Sequence, residues 1–440
     1  MNPFQLQAHG THVRREIVAG ITTFAAMAYI LAVNPSILSA AGMDKGAVIT
    51  ATALASALMT ALMAIFTNYP IALAPGMGIN AFFAFSVCGA LKVPWQAALG
   101  LVFYSGLVFF LLSVTGIRQR LLAAIPRDLK IAITCGIGLF IAFIGLKNGN
   151  VIAASPATFV TLGNLQSPVP WLALGGLLLT AILVQRKVPG AILLGIAAIT
   201  GVGLFVSTTS PDGSVATLTA SPKSLVALPA SLAPTFLKLD LAYFWQHPRE
   251  SIPIVLALLF VDLFDNMGTL IGVCHRAGLL DAQGNLPRIG RALAADATAA
   301  MAGSTLGTST VTSYIESAAG VEAGGRTGLT ALATAACFLL ALFLHPLISI
   351  IPAVATAPAL VIVGVFMMQS IAEIDLRDFT RALPAVLTLV AMPLAFSIAE
   401  GIAIGISVHV LFNAGIGRAR SIPPVAWLLA ALCLAHLYFR

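Results

Sequence analysis

The chain has 440 residues, of which 59% are hydrophobic and only 9% charged, against roughly 25% charged in an average soluble domain. So few charges do not cover the surface of a soluble fold of this size, which excludes an ordinary cytosolic enzyme and a disordered chain. With 38 Gly and 24 Pro the chain is not fibrous either, and what remains is an all-α polytopic membrane protein.

From the start, Met1 to Arg15 is polar, and no small-residue cleavage site closes the apolar run after it. That run reads as a mature span rather than a signal peptide. A span needs about 20 mostly apolar residues. Such segments fall at 17–39, 47–67, 70–90, 95–115, 130–147, 168–185 and 189–207. After a polar connection come 252–273, 290–304, 308–322, 327–345, 355–371, 382–398 and 400–414. An apolar tail, 424–438, closes the chain. The expectation is fourteen transmembrane segments and a tail helix whose spanning is open. Segments 290–304 and 308–322 are too short and too polar for ordinary spans.

Loop charges orient this arrangement. With the N-terminus in the cytoplasm, 16 of the 23 Lys and Arg fall on the cytoplasmic side and 6 outside, Arg440 being unassigned. That bias is the positive-inside pattern. The net charge of +7 therefore reports topology, and no basic stripe for nucleic acid exists. Cys88, Cys135, Cys274, Cys337 and Cys433 lie in or beside apolar runs without metal-ligand spacing, so neither a metal site nor a disulfide framework is expected.

A repeat is visible as well. Ile125-Pro126 is followed by Gly138 and Phe140; Ile351-Pro352 is followed at the same offsets by Gly364 and Phe366. Ala41-Gly42-Met43-Asp44 after the first segment has a counterpart in Ala277-Gly278-Leu279-Leu280-Asp281 after the eighth. Seven spans per repeat is odd, so the halves have opposite orientation, as in many secondary transporters. The expected division is 1–207 for the first inverted repeat, 208–250 for a linker, 251–415 for the second repeat and 416–440 for the tail.

The informative residues are the polar ones in these segments, since a charge in the bilayer costs ~2.5–3.5 kcal/mol on insertion scales. In the eighth segment Asp262, Asp265 and Thr269 share one helical face. They form either a cavity-facing substrate or proton site or a structural network. In the tenth, Thr308-Ser309-Thr310-Val311-Thr312-Ser313 suits a short extended stretch lined by protein, and Glu316 sits where a half-helix would begin. Glu316 is either functional or a partner of the helix dipole. In the third, Ala74-Pro75-Gly76-Met77-Gly78 breaks the helix before Asn80, which offers a donor and an acceptor. Two broken segments in corresponding repeat positions point to a central binding site. Phe24, Phe82, Phe83 and Phe366 are ring candidates for a flat ligand, although ordinary packing explains each alone. Glu322 and Arg326 are placed to pair. Glu373, Asp375, Arg377, Asp378 and Arg381 form a mixed-charge cytoplasmic turn. No nucleophile–base pair lies in the apolar segments, which disfavours an enzyme. Only two segments are rich in polar residues, which disfavours a channel.

The runs Ala74 to Ala84 (APGMGINAFFA), Phe260 to Gly272 (FVDLFDNMGTLIG) and Thr312 to Gly328 (TSYIESAAGVEAGGRTG) resemble the AzgA-like branch of the nucleobase–ascorbate transporter family, whose members are adenine, guanine and hypoxanthine permeases. ITTFAAMAYILAVNP near the start and PAVATAPALVIVGVFMM later carry the same resemblance, which covers nearly the whole chain. It implies a seven-plus-seven inverted-repeat fold. Core segments would be one to four and eight to eleven, and gate segments five to seven and twelve to fourteen. Short strands would precede the half-helices of segments three and ten. It also implies a substrate site at Asp265, Glu316 and Asn80, with Ile315, Ser317, Thr269, Phe24 and Phe82 around it. Thr269 falls where other branches carry His or Asp. Proton coupling would rest on Asp265, Glu316 and Asp262.

The chemistry agrees with these roles. A purine presents ring N–H and exocyclic groups in one plane; carboxylates accept from them in charge-assisted bonds, and an Asn serves another edge. The expected function is proton-coupled uptake of purine nucleobases across the bacterial inner membrane by core-against-gate movement, with no cofactor. A homodimer is the assembly the resemblance allows. A uracil or xanthine carrier of the same fold, coupled to sodium, is the alternative. Two carboxylates at the site disfavour anion exchange.

Overall fold

The computed structural model describes residues 4–115, 126–156, 158–209, 215–222, 224–279 and 286–438. Its first half contains α1 (Val13–Met27), α2 (Ile30–Ser39), α3 (Lys45–Thr67), β1 (Leu73–Pro75), α4 (Met77–Ala81, continued as a π-helical stretch Phe82–Ala90), α5 (Trp95–Thr115), α6 (Arg127–Asn148), β2 (Ile152–Ser155), β3 (Phe159–Leu162), α7 (Pro168–Gln185) and α8 (Ala191–Gly203). The connection to the second half holds β4 (Ser207–Thr209), β5 (Val215–Thr217) and α9 (Ala242–Gln246). There follow α10 (Pro248–Arg276), α11 (Ile289–Leu306), β6 (Val311–Ser313), α12 (Ser317–Glu322), α13 (Gly328–Ala341), α14 (His345–Ser349), α15 (Ala353–Met368), α16 (Phe379–Leu394), α17 (Ile398–Asn413) and α18 (Pro424–Tyr438). Among the described residues, eight helices are long and apolar enough to cross a membrane, and four shorter apolar helices accompany them. Ile125, Leu280 and Asp281 of the repeat signature lie outside the described residues.

Local chemistry fixes where helices begin and end. Asp44 caps α3 by accepting from the Ala47 N–H at 2.7 Å, which satisfies a donor the first helical turn cannot. Asn68 ends the same helix in the left-handed region at φ 59°, a conformation Asn tolerates. Its amide then joins distant elements: Nδ2 donates to the Phe4 carbonyl, and Oδ1 accepts from the Gly328 N–H.

Segments 70–90 and 308–322 are not continuous helices. Leu73–Pro75 and Val311–Ser313 pair antiparallel, Ala74 opposite Thr312. Gly76 N–H to the Thr310 carbonyl and Tyr314 N–H to the Ala72 carbonyl, both 2.9 Å, extend this two-stranded sheet at its ends. Pro75 has no N–H to donate and sits at the last strand position, where none is required. Both strands are wholly buried, so every backbone group depends on protein partners.

Elsewhere the helices cross closely through glycine. A Cβ on Gly138 in α6 would lie 2.7 Å from the Gly364 carbonyl oxygen in α15, and one on Gly364 would lie 2.4 Å from the Gly138 carbonyl oxygen. Gly138 and Gly364, each twelve residues after the Pro of an Ile-Pro pair in the sequence, meet each other.

The 208–250 connection divides into two parts. Its beginning is fastened to α8: Thr219 N–H donates to the Gly203 carbonyl at 3.0 Å. Its later part is strapped across other helices. Ala227 N–H bonds the Phe343 carbonyl, Leu237 N–H that of Thr305 and Asp240 N–H that of Gln96, while Thr50 Oγ1 donates to the Ala230 carbonyl. Trp245 Nε1 then donates to the Tyr104 hydroxyl at 3.0 Å.

Candidate functional site

A cavity opens beside the two-stranded sheet. Tyr29 reaches it from the junction of α1 and α2. Gly76, Met77 and Gly78 come from the turn after β1, and Thr269 from α10. Ser313 to Glu316 come from β6 and the approach to α12, with Val363 and Met367 closing it from α15. The break in each short-strand segment leaves backbone and Glu316 facing this space. Glu316 is the N-cap residue of α12; its carboxylate accepts a hydrogen bond from the Tyr29 hydroxyl. Ile315, 56% exposed, lines the cavity as well. Tyr314 turns inward, and its hydroxyl donates to the Pro75 carbonyl at 2.6 Å, tying the two broken segments together.

Of the residues singled out from sequence, Glu316, Ile315 and Thr269 line the cavity. Asp262 is buried in α10, two turns before Thr269. The side chain of Asp265 lies outside the described residues, although its backbone belongs to α10.

Four other residues sit elsewhere. Asn80 is fully buried behind the turn, and its amide is engaged on both sides. Nδ2 donates to Asn34 Oδ1 at 2.6 Å, and Oδ1 accepts from the Ser309 hydroxyl. Asn34 Nδ2 bonds Thr52 Oγ1 at 2.7 Å and Thr308 Oγ1 at 2.9 Å in turn. Asn80 is thus part of a polar frame under the cavity, joining both broken segments to α2 and α3. Ser317 Oγ accepts from the Ala72 N–H at 3.0 Å and stitches the sheet. Phe24 stacks edge-on against Phe338 at 5.1 Å. Phe82 is 1% exposed and belongs to the core.

Sequence reasoning passed over three polar anchors. Tyr29 lay inside an apolar run. Asp296, in the polar α11, accepts from Thr312 Oγ1 at 3.2 Å, the Ser313 N–H at 3.0 Å and Ser313 Oγ at 3.1 Å. Its carboxylate therefore fixes the strand that leads to Glu316, and its signal was a lone acid among alanines. Glu16 is fully buried. It accepts from the Arg326 and Thr327 N–H groups and from the Thr327 and Thr330 hydroxyls, clamping α1 to the start of α13. This corrects the expected Glu322–Arg326 pair. Glu322 bonds Arg276 at 3.1 Å, while Arg326 Nη1 caps the Val321 and Gly325 carbonyls.

Asp296→Ala tests the strand anchor. It strands three buried donors, each worth ~1–3 kcal/mol when left unpaired. The detergent-solubilised variant is expected to melt lower than wild type by several degrees and to lose ligand response. An unchanged melting temperature would rule out this anchoring role.

The sequence profile of the Permease family matches residues 14–404. Adenine permease AdeP of Escherichia coli is 42% identical over 99% of this chain and 95% of its own length. Guanine/hypoxanthine permease PbuG of Bacillus subtilis is 43% identical over 99% of both chains. Among solved structures, the transmembrane domain of the cyanobacterial bicarbonate transporter BicA superposes with a TM-score of 0.65 at 18% identity, covering 88% of this chain and 96% of that one, which speaks for the fold alone. The chain belongs to the Permease family and is a multi-pass membrane transporter rather than an enzyme.

Proposed function

We propose that this permease carries purine nucleobases, taking them up across the plasma membrane with protons. The observation that carries the reading is Glu316. It is an acid held at the mouth of a helix-breaking segment, facing a cavity whose other walls are backbone, Thr269, apolar side chains and two tyrosines. A carboxylate there accepts ring or exocyclic N–H groups of a flat base, in a charge-assisted bond of the stronger kind. The relatives at 42% and 43% identity named for adenine and for guanine/hypoxanthine support the same substrate class.

In this reading Asp265, on the α10 face that carries Asp262 and Thr269, is the second acid. Two carboxylates brought together do not both remain charged at no cost, so one carries the coupled proton. Asn80 acts by holding the polar frame behind the cavity, Ser317 by holding the sheet, and Ile315 covers the ligand. The chain is arranged as fourteen segments in two inverted repeats, 1–207 and 251–415, with the N-terminus in the cytoplasm. A core carries the two broken segments and slides against a gate that contains α6 and α15. Val363 and Met367 then supply the gate's wall of the cavity.

Uptake of labelled adenine, guanine, hypoxanthine and uracil into proteoliposomes, with and without an imposed pH gradient, tests this. Accumulation of a purine driven by the gradient, uracil being excluded, is the expected result. Transport of uracil alone would overturn the substrate assignment. Purine accumulation driven by sodium and indifferent to pH would overturn the coupling.

A further inference from the structure

Tyr29 is wholly buried, yet it lines the cavity with Glu316. It occupies the junction between α1 and α2, where Leu31 and Ala32 N–H groups bond to the carbonyls three residues back. This tightened turn stays helical, with Tyr29 at φ −56° and ψ −23°. The phenol is therefore placed by the backbone and by packing around its ring. Glu316 is the more exposed partner, at the start of a six-residue helix with no capping bond from its own side chain. Of the two groups, the tyrosine is the fixed one.

A phenol has one proton to give, and here it goes to Glu316 Oε1. A carboxylate has two oxygens and about four acceptor positions, so one such bond leaves room for a ligand's N–H groups. Ring packing alone would be served by Phe. The hydroxyl adds a fixed donor that selects one orientation of the carboxylate before a ligand arrives, and ordering paid in advance is affinity gained on binding.

We infer that Tyr29 is a positioning residue: its hydroxyl sets the carboxylate of Glu316 for the N–H groups of the transported base. This rests on the purine reading given above.

The test is a cycle of Tyr29→Phe with Glu316→Asp, the shorter acid being out of reach of the phenol. Binding of adenine, guanine and hypoxanthine to the full-length protein is measured calorimetrically. Tyr29→Phe is expected to weaken binding about tenfold in the wild-type background and less than about twofold beside Glu316→Asp, the non-additivity of groups in one network. Equal losses in both backgrounds, or no loss in the first, would overturn the inference.

A second measurement needs no ligand. The infrared carboxylate stretch of Glu316, identified by its disappearance in Glu316→Gln, is expected to shift in Tyr29→Phe. An unmoved band would overturn the positioning role even if the Glu316→Asp variant binds nothing. Failure of the wild-type protein to bind any purine would instead sink the substrate reading, leaving the infrared result to judge the contact.

Discussion

Glu316→Gln is expected to cut purine uptake by about 100-fold or more while the protein still reaches the membrane. The substitution keeps shape and removes charge. Loss of a hydrogen bond to a charged acceptor costs ~1.5–3 kcal/mol, and every 1.4 kcal/mol is about tenfold in affinity. The new amide also turns two donors toward the N–H groups of a base, and a polar site left mispaired rejects its ligand far more strongly than an apolar one loses it. The fold has less to lose. The Tyr29 hydroxyl that donates to Glu316 Oε1 finds an amide oxygen in the same place, and the β1–β6 sheet and the Tyr314–Pro75 bond do not involve this side chain. Uptake normalised to membrane-inserted protein separates the two effects. Asp265→Asn is expected to behave alike, and normal transport in both variants would remove the acids from the site.

Much of the architecture follows from composition and from broken patterns. Pro75 and Gly76 break the span before the half-helix that begins at Met77, and the Ser/Thr run 308–313 is poor lipid-facing helix. Both places become buried backbone beside the cavity. Glu316 was legible for the same reason, as an acid just after such a break. What the sequence hid was direction. Asn80 has the chemistry of a ligand contact, but its amide is consumed by Asn34 and Ser309, one 46 and the other 229 residues away along the chain. Phe82 has the ring for stacking and spends it in the core. Tyr29 reads as one more aromatic residue in an apolar run until the fold brings it against a residue 287 positions later. Local patterns show where a helix fails. They do not show which side of the failure a side chain faces, because that is decided by partners distant in sequence. The charged turn at 373–381 is exposed and at the same time tied to the start of α6: Glu373 bonds Arg127, and Arg381 approaches both Asp128 and Asp378.

Gly364→Val is the structural counterpart of the Glu316 test, and its expected result is a protein whose α6–α15 crossing is forced apart. At this crossing the backbones of α6 and α15 touch, and a Cβ on either glycine would fall within 2.7 Å of the other's carbonyl oxygen. Neither neighbouring atom is a flexible side-chain end that can swing away, so the helices themselves must separate. Overpacking of this kind costs ~1–3 kcal/mol, and here the damage spreads. Gly145, two turns along α6 from Gly138, lies equally close to the Ala357 carbonyl, its Cβ position 2.8 Å from that oxygen. The cavity suffers too, because Val363 and Met367 reach it from the same stretch of α15. Gly364→Val is therefore expected both to lower the melting temperature of the solubilised protein and to weaken purine binding. Gly138→Ala should do the same more mildly. Combined, the two substitutions should cost less than their sum, since the first has already opened the gap the second needs. Gly175 supplies the control: a Cβ there meets nothing within 4 Å, so Gly175→Ala should leave both readings unchanged. Equal tolerance at Gly364 and Gly175 would mean that the α6–α15 crossing is not the close contact that carries the wall of the site.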